Sequence, residues 1–337
     1  MSPRLIAHVV ACGALALSLF GAGCPPTNAD GGGASVNSPQ PPGTPDNTPA
    51  AAPPSPGATA VAAPPFDATR AFADLKKQVA FGPRYSGAKG YEPMRDWLVA
   101  ALGKAAGVPA KRQDFTARLG DKRLPMSNVY AHINPQAKTQ VMLCAHWDTR
   151  PTADQEIDPA RRKQPILGAN DGASGVACLL EVARQLAAKK PEIGVQIVFF
   201  DGEDYGPQIE RMFLGSIHYA KNSALPRPAY AILIDMIGDR DLSIPREVNS
   251  DRKAREINDK VFDAAAALGV KQFVNAPGWE IQDDHLPLQA AGWKAIDLID
   301  FDYGPWHTLD DTADKCSPES LKAVGTVLLK VIHDEAK

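Results

Sequence analysis

The chain has no excess of charge of either sign. Its 337 residues hold 36 Lys and Arg against 39 Asp and Glu, a formal net charge of −3. It has no basic stripe and no aromatic–basic interleaving, which excludes nucleic acid as a partner. Internal repeats are absent, so solenoid architectures are excluded. The apolar stretch Leu5 to Phe20 is too short to span a bilayer as a helix. Lysine and arginine are missing altogether from Pro25 to Pro65, where Pro, Ala, Gly, Ser, Thr and Asn are in excess. That segment also lacks an apolar period, so it cannot bury enough surface to offset its chain entropy. Cysteine is scarce. Beyond residue 65 only Cys144, Cys178 and Cys316 remain, an odd number that leaves at least one thiol unpaired within a monomer. A Cys144–Cys178 bridge is conceivable, but buried free thiols are the expectation.

What is present divides into three parts. Residues 1–23 read as a secretory signal, with Arg4 as the positive start, the apolar stretch, and small residues before Cys24. Gly21-Ala22-Gly23-Cys24 resembles a bacterial lipobox, with Gly21 where leucine is usual. Ordinary signal cleavage nearby is the alternative. Residues 24–65 then form a Pro-rich linker, semi-extended at up to about 3.1 Å per residue. A lipidated Cys24 with this linker would tether a catalytic domain at a membrane. The expected location is outside the cytoplasm, as a periplasmic or cell-surface lipoprotein of a bacterium. A cleavable pro-segment has no positive signal.

From residue 66 to 337 strands and helices alternate, and roughly 270 residues of mixed composition fit one α/β domain. Apolar residues at helical spacing predict helices over Ala68–Val79 and Tyr91–Leu102. Further helices are expected over Gly175–Ala188, Arg252–Leu268 and Ser317–His333, the last opening with an N-cap serine and proline at the first position. Strands are expected at Asn128–Ile133, Gln140–His146, Val195–Phe200, Ala229–Asp235 and Lys294–Ile299. Near-continuous apolar runs such as Ile232-Leu233-Ile234 predict a central, mixed but mostly parallel sheet flanked by helices on both faces. A monomer is expected.

The strands stop at acids and imidazoles. His146 and Asp148 close one apolar run, Glu203 and Asp204 another, and Asp235 a third. Asp171 opens a helix among glycines, and His307 follows Tyr303-Gly304-Pro305-Trp306. Ligands of open α/β sheets bind beyond the carboxyl ends of the strands. Asp, Glu and His gathered there point to a metal centre with an acid/base group beside it.

Each motif also has a plainer reading. His146 and Asp148 could be a surface turn; two apart, they could equally face one way, the carboxylate orienting the imidazole. Asp171 could be a routine helix cap. Glu203-Asp204 could be a solvated acidic loop, but the buried run Ile197 to Phe200 before it argues otherwise. Adjacent acids tend to split roles, one binding metal while its neighbour shuttles protons at a raised pKa. Asp283-Asp284 could cap a helix. Trp306 could fill core, or wall a small pocket beside His307. His8, His132, His218 and His333 have no comparable setting.

In chain order, His146-Trp147-Asp148, Gly168-Ala169-Asn170-Asp171, Phe199 to Asp204, Leu214-Gly215-Ser216, Asp235 and His307-Thr308 resemble the M28-type zinc metallopeptidase family. Within it, Ile281-Gln282-Asp283-Asp284-His285 and Trp306-His307 are most similar to the glutaminyl cyclases, which convert N-terminal glutamine to pyroglutamate. The likeness spans about Asp67 to Glu335 and implies a zinc-aminopeptidase-like (phosphorylase/hydrolase-like) fold.

It also implies roles. Asp171, Asp204 and His307 fall on the metal ligands, Glu203 on the general base and acid, and Asp235 and Asp283 on further catalytic positions. Trp306, Gln282 and Ile281 fall on the substrate pocket. His146, with Asp148 beside it and Asp235 opposite, either supports one zinc or, in a di-zinc aminopeptidase, holds a second. One zinc and substrates with N-terminal glutamine are therefore expected. The rivals are a two-zinc aminopeptidase and a non-catalytic metal-binding lipoprotein. Two departures stand out. Asp204 replaces a glutamate common in relatives, and the tryptophan-bearing loop that follows the acidic pair in animal cyclases has no clear match.

Overall fold

The computed structural model describes residues 65–223 and 225–335. The signal (1–23), the lipidation site Cys24 and the linker up to residue 64 lie outside the described residues. In chain order the elements are α1 (Ala68–Val79), α2 (Tyr91–Ala106), β1 (Lys111–Leu119), β2 (Lys122–Ile133), β3 (Gln140–His146), α3 (Ala173–Ala188) and β4 (Gly194–Phe200). There follow α4 (Leu214–Asn222), β5 (Tyr230–Asp235), β6 (Ile244–Arg246), α5 (Val248–Leu268), β7 (Phe273–Pro277), α6 (His285–Ala290), β8 (Ala295–Ile299) and α7 (Pro318–Asp334).

Six strands form the central sheet in the order β1-β2-β4-β3-β5-β8, and β6 pairs with β7 in a small separate ribbon. The pairs β4–β3, β3–β5 and β5–β8 are parallel, whereas β1–β2 and β2–β4 are antiparallel. The sheet is mixed and mostly parallel, as the apolar runs predict. Side chains alternate across it with period two. Val141, Leu143 and Ala145 enter one apolar cluster with residues of α1, α2, α3, α5 and α7. Met142 and Cys144 enter another with Tyr219 of α4 and Leu288 of α6. Both faces are thus covered, and this is why β3, β4 and β5 are buried along their whole length.

Local chemistry sets the helix ends. Ser317 caps α7 by accepting from the Ser320 backbone amide at 3.1 Å, with Pro318 in the first turn. Asp67 caps α1 through the Arg70 amide at 2.9 Å. Cys144, Cys178 and Cys316 are all free and buried, so the conceivable Cys144–Cys178 bridge is not formed.

Strands β1, β6 and β7 and helix α4 go beyond the sequence expectation. Strand β2 begins at Lys122, and β1 joins it as a hairpin through Gly120-Asp121, with Gly120 in the left-handed region (φ 60°). β1 is mostly exposed and charged, so it has no apolar run to reveal it, although the Gly-Asp turn is a hairpin signal. Helix α4 is short and its apolar face shows no long period, whereas α6 begins directly after Asp283-Asp284, where a helix start is expected.

Candidate metal centre

The parallel topology brings the carboxyl ends of β3, β4 and β5 side by side. His146 ends β3, Asp235 ends β5, and Glu203-Asp204 leave β4 three residues after Phe200. The loop before α3 places Asp171 above them. The turn that brings it in needs Gly172, at φ 95°, because a Cβ there would lie 2.6 Å from the Asp148 carbonyl oxygen. Asp171 is not a helix cap: α3 starts from Gly172 with no side-chain capping bond. After β8 the chain returns with Trp306-His307, and His307 is held at a positive φ of 54°. Left-handed backbone at a non-glycine residue is strain kept where the surroundings over-determine it.

Two groups of donors result. Asp171, Asp204 and His307 form one, and His146, Asp171 and Asp235 the other, with the donor atoms of each within 4.8 Å of one another. Nε2 of His307 lies 3.4 Å from Asp171 Oδ2 and 3.3 Å from Asp204 Oδ1. Nε2 of His146 lies 3.2 Å from Asp171 Oδ1 and 3.1 Å from Asp235 Oδ1. Asp171 therefore offers one oxygen to each imidazole. All of these residues are buried, yet Asp204 Oδ2 has no hydrogen-bond partner. Buried carboxylate oxygen without a partner costs free energy that a cation removes. Two carboxylates and an imidazole suit zinc.

Asp148 stands beside His146 and also binds the backbone of the acidic pair. Its two oxygens accept the backbone amides of Glu203 (3.1 Å) and Asp204 (3.2 Å). It stands 3.5 Å from His146 Nδ1, which makes no hydrogen bond. Its main work is to fix the acidic pair. Glu203 faces inward, 3.8 Å from His146 Nδ1, while Asp204 turns toward His307. The two acids thus have separate settings. Burial pushes the Glu203 carboxyl well above its ordinary range, with His146 opposing. Burial works the same way on Asp204, but Arg150 and His307 outweigh it and hold that carboxyl at about 2. Burial alone would lower the His146 pKa, yet Asp235, Asp148 and Asp171 together raise it.

The cleft beside these groups has a volume of about 50 Å³. Glu203, Asp235, Gln282, Asp283 and His307 line its polar side, and Met212, Met236, Ile281, Ile299, Phe301 and Trp306 its apolar side. Trp306 stacks on His307, ring centres 3.9 Å apart, and meets Phe301 edge-on. Asp284 is the N-cap residue of α6 without a capping side-chain bond; it accepts from Ser216 Oγ instead. Burial pushes Asp283 well above its ordinary range, with Asp235 and Asp284 adding to it. Asp283, His285 and Asp297 form a third group with donor atoms within 4.8 Å of one another, of which His285 and Asp297 do not line the cleft. A larger cavity of about 490 Å³, lined by Asp239, Asp241, Asp300 and Asp302 among others, is not the site. Both oxygens of its buried Asp300 are already satisfied by backbone amides of Ser243 and Asp302.

Several supporting residues escape sequence reasoning. Buried Arg84 donates to the carbonyls of Trp147, Leu167 and Gly168, tying the β3 exit to the Asp171 loop. Asp311 accepts the amides of Asn170 and Asp171 and the Tyr303 hydroxyl. Arg150 donates to Asp154 and Asp204. Met212, in the segment after the acidic pair, lines the cleft. That position was its one signal.

The chain is similar to known proteins. The profile of peptidase family M28 matches residues 128–332. The structure of a glutaminyl cyclase from Bacteroides thetaiotaomicron is 38% identical, covers 81% of this chain and 99% of that one, and superposes with a TM-score of 0.77. A Zn-dependent exopeptidase from Parabacteroides distasonis is 37% identical over 81% of this chain and 100% of that one, with a TM-score of 0.78. The glutaminyl-peptide cyclotransferase of Bos taurus is 25% identical over 60% of this chain, which spans 64% of the bovine protein's length. The chain belongs to peptidase family M28.

Proposed function

We propose that this chain is a zinc-dependent glutaminyl-peptide cyclotransferase, closing N-terminal glutamine to pyroglutamate with release of ammonia. The observation that carries the reading is Glu203. It is a buried carboxyl with a raised pKa, adjacent to the metal-ligand candidate Asp204 and facing a cleft of about 50 Å³ that it shares with Asp283, Gln282 and Trp306. Likeness to glutaminyl cyclases in sequence and in structure supports it.

Asp171, Asp204 and His307 would hold one zinc, which supplies Lewis acidity to the γ-carbonyl of the glutamine. Glu203 takes a proton from the α-ammonium, freeing the amine to attack that carbon. The new N–C bond closes the ring, the amide C–N bond breaks, Glu203 returns its proton to the departing nitrogen, and the second proton shed by the attacking amine leaves with it as ammonium. Asp235 and Asp283 position the amine. Trp306, with Ile281 and Gln282, packs the glutamine side chain. No water is consumed.

A second reading has one observation in its favour. His146, Asp171 and Asp235 make a second set of three ligands, as a two-zinc aminopeptidase requires. Incubation with peptides bearing N-terminal glutamine separates the readings by mass. Loss of ammonia supports cyclisation, loss of the first residue supports the peptidase, and an unchanged peptide supports neither.

The location belongs to the same proposal. Among the described residues no helix is long and apolar enough to cross a membrane. Cys24 would carry lipid, and the linker would let the domain act outside the cytoplasm on peptide and protein N-termini, as a monomer.

A further inference from the structure

We infer that Arg150 is a positioning residue of the metal centre, holding Asp204 to one free oxygen and Asp154 against His307. The inference rests on the zinc reading above. The Arg150 side chain is 4% exposed, and a buried cation persists where anions match it. Its Nε donates to Asp154 Oδ1 at 2.7 Å, and its Nη1 donates to Asp204 Oδ1. Asp154 Oδ1 in turn stands 3.6 Å from Nδ1 of His307. One guanidinium therefore touches one ligand directly and reaches a second through a carboxylate.

Arg150 thus occupies Asp204 Oδ1, the oxygen 3.3 Å from His307 Nε2, while Oδ2 is buried without a hydrogen bond. A guanidinium presents its donors in a rigid plane, so it fixes the orientation of a carboxylate in a way that an ammonium cannot. The backbone closes over it: a Cβ at Gly206 would come within 2.6 Å of Arg150 Nη1. Asp154 acts on His307 by charge at 3.6 Å, without a hydrogen bond to Nδ1.

Two consequences follow. A positive charge beside a ligand oxygen opposes cation binding, so its removal should tighten zinc. The released Oδ1 would then compete for coordination beside Oδ2, and turnover should fall. A merely structural role predicts the opposite pairing, since loosened ligands would bind zinc less tightly.

The test uses the full chain with Arg150→Met and Arg150→Lys. It reads zinc affinity by chelator competition, the visible absorption of the cobalt-substituted protein, and kcat and KM on an N-terminal-glutamine peptide. Arg150→Met should bind zinc at least tenfold more tightly, with weaker cobalt absorption from a higher coordination number and kcat at least tenfold lower. Arg150→Lys should fall between it and the unmodified chain. Zinc affinity unchanged or weakened in Arg150→Met would overturn the inference. Should that variant fail to fold, Asp154→Asn, which removes the other anchor, should still shift the cobalt spectrum; an unshifted spectrum would overturn it equally. Variants that show these zinc effects, in a protein whose unmodified chain forms no pyroglutamate, would sink the cyclase reading and leave Arg150 in place. An unmodified chain that binds neither metal would overturn both.

Discussion

Nε2 of His146 lies 3.1 Å from Oδ1 of Asp235, a hydrogen bond that joins the ends of β3 and β5. Both residues belong to the second ligand group, and a second ion would have to open this bond. The account therefore expects about one zinc per purified chain by elemental analysis. Two tightly held zinc ions would move the assignment to the aminopeptidase reading.

The separate settings of Glu203 and Asp204 make a mutational prediction. Glu203→Gln should lower kcat by about 10²–10⁴, the usual worth of a general acid/base, and keep its zinc. Asp204→Ala and His307→Ala should lose zinc instead. Were Glu203→Gln to lose metal as readily, the roles within the acidic pair would be wrongly assigned.

Acid stability should depend on Glu247, which caps α5 through the amides of Asn249 and Ser250. Burial tends to raise its pKa, but His285, Ser250 and the Ile281 amide bring it down to about 2, from an ordinary 4.5. A depressed carboxyl contributes stability that is present above the unfolded pKa and lost as pH falls through the folded one. Denaturant titrations should show a loss on the order of 1–3 kcal/mol between pH 4.5 and 2 from this group. The loss should be smaller in Glu247→Gln, and an equal slope in both proteins would refute the assignment.

Legibility in the sequence followed burial. Strands β3, β4 and β5 are buried end to end, so their apolar runs and terminal acids stand out. β1 is exposed and charged and showed no such run. The candidate ligand groups were legible because His146 and Asp235 end strands and Glu203-Asp204 follow one closely, with Asp171 and His307 in loops that carry recognisable motifs. Arg150 was not, since its partner Asp204 lies 54 residues away and only the folded chain brings the two together. Asp148 was seen beside His146 because they are neighbours in sequence, but its hydrogen bonds run to the backbone of the next strand's exit. The Met212 wall depends on the path of a loop, which residue spacing does not determine.

The segment from Pro25 to Pro65 should be dispensable for catalysis, because it has no apolar period with which to pack. A chain beginning at Ala63 should match the mature protein in specific activity, and Cys24→Ser should release the enzyme from membranes. Lower specific activity on truncation would mean that the segment packs on the domain. A soluble unmodified protein would mean that Cys24 carries no lipid.

The central claim is that the terminal amine, and not water, attacks the glutamine carbonyl. The most direct measurement is the reaction of an N-terminal-glutamine peptide in ¹⁸O-labelled water, read by mass spectrometry. The account predicts a product lighter by one ammonia, with no ¹⁸O incorporated. A shortened peptide with ¹⁸O in the carboxylate of the released residue would contradict it.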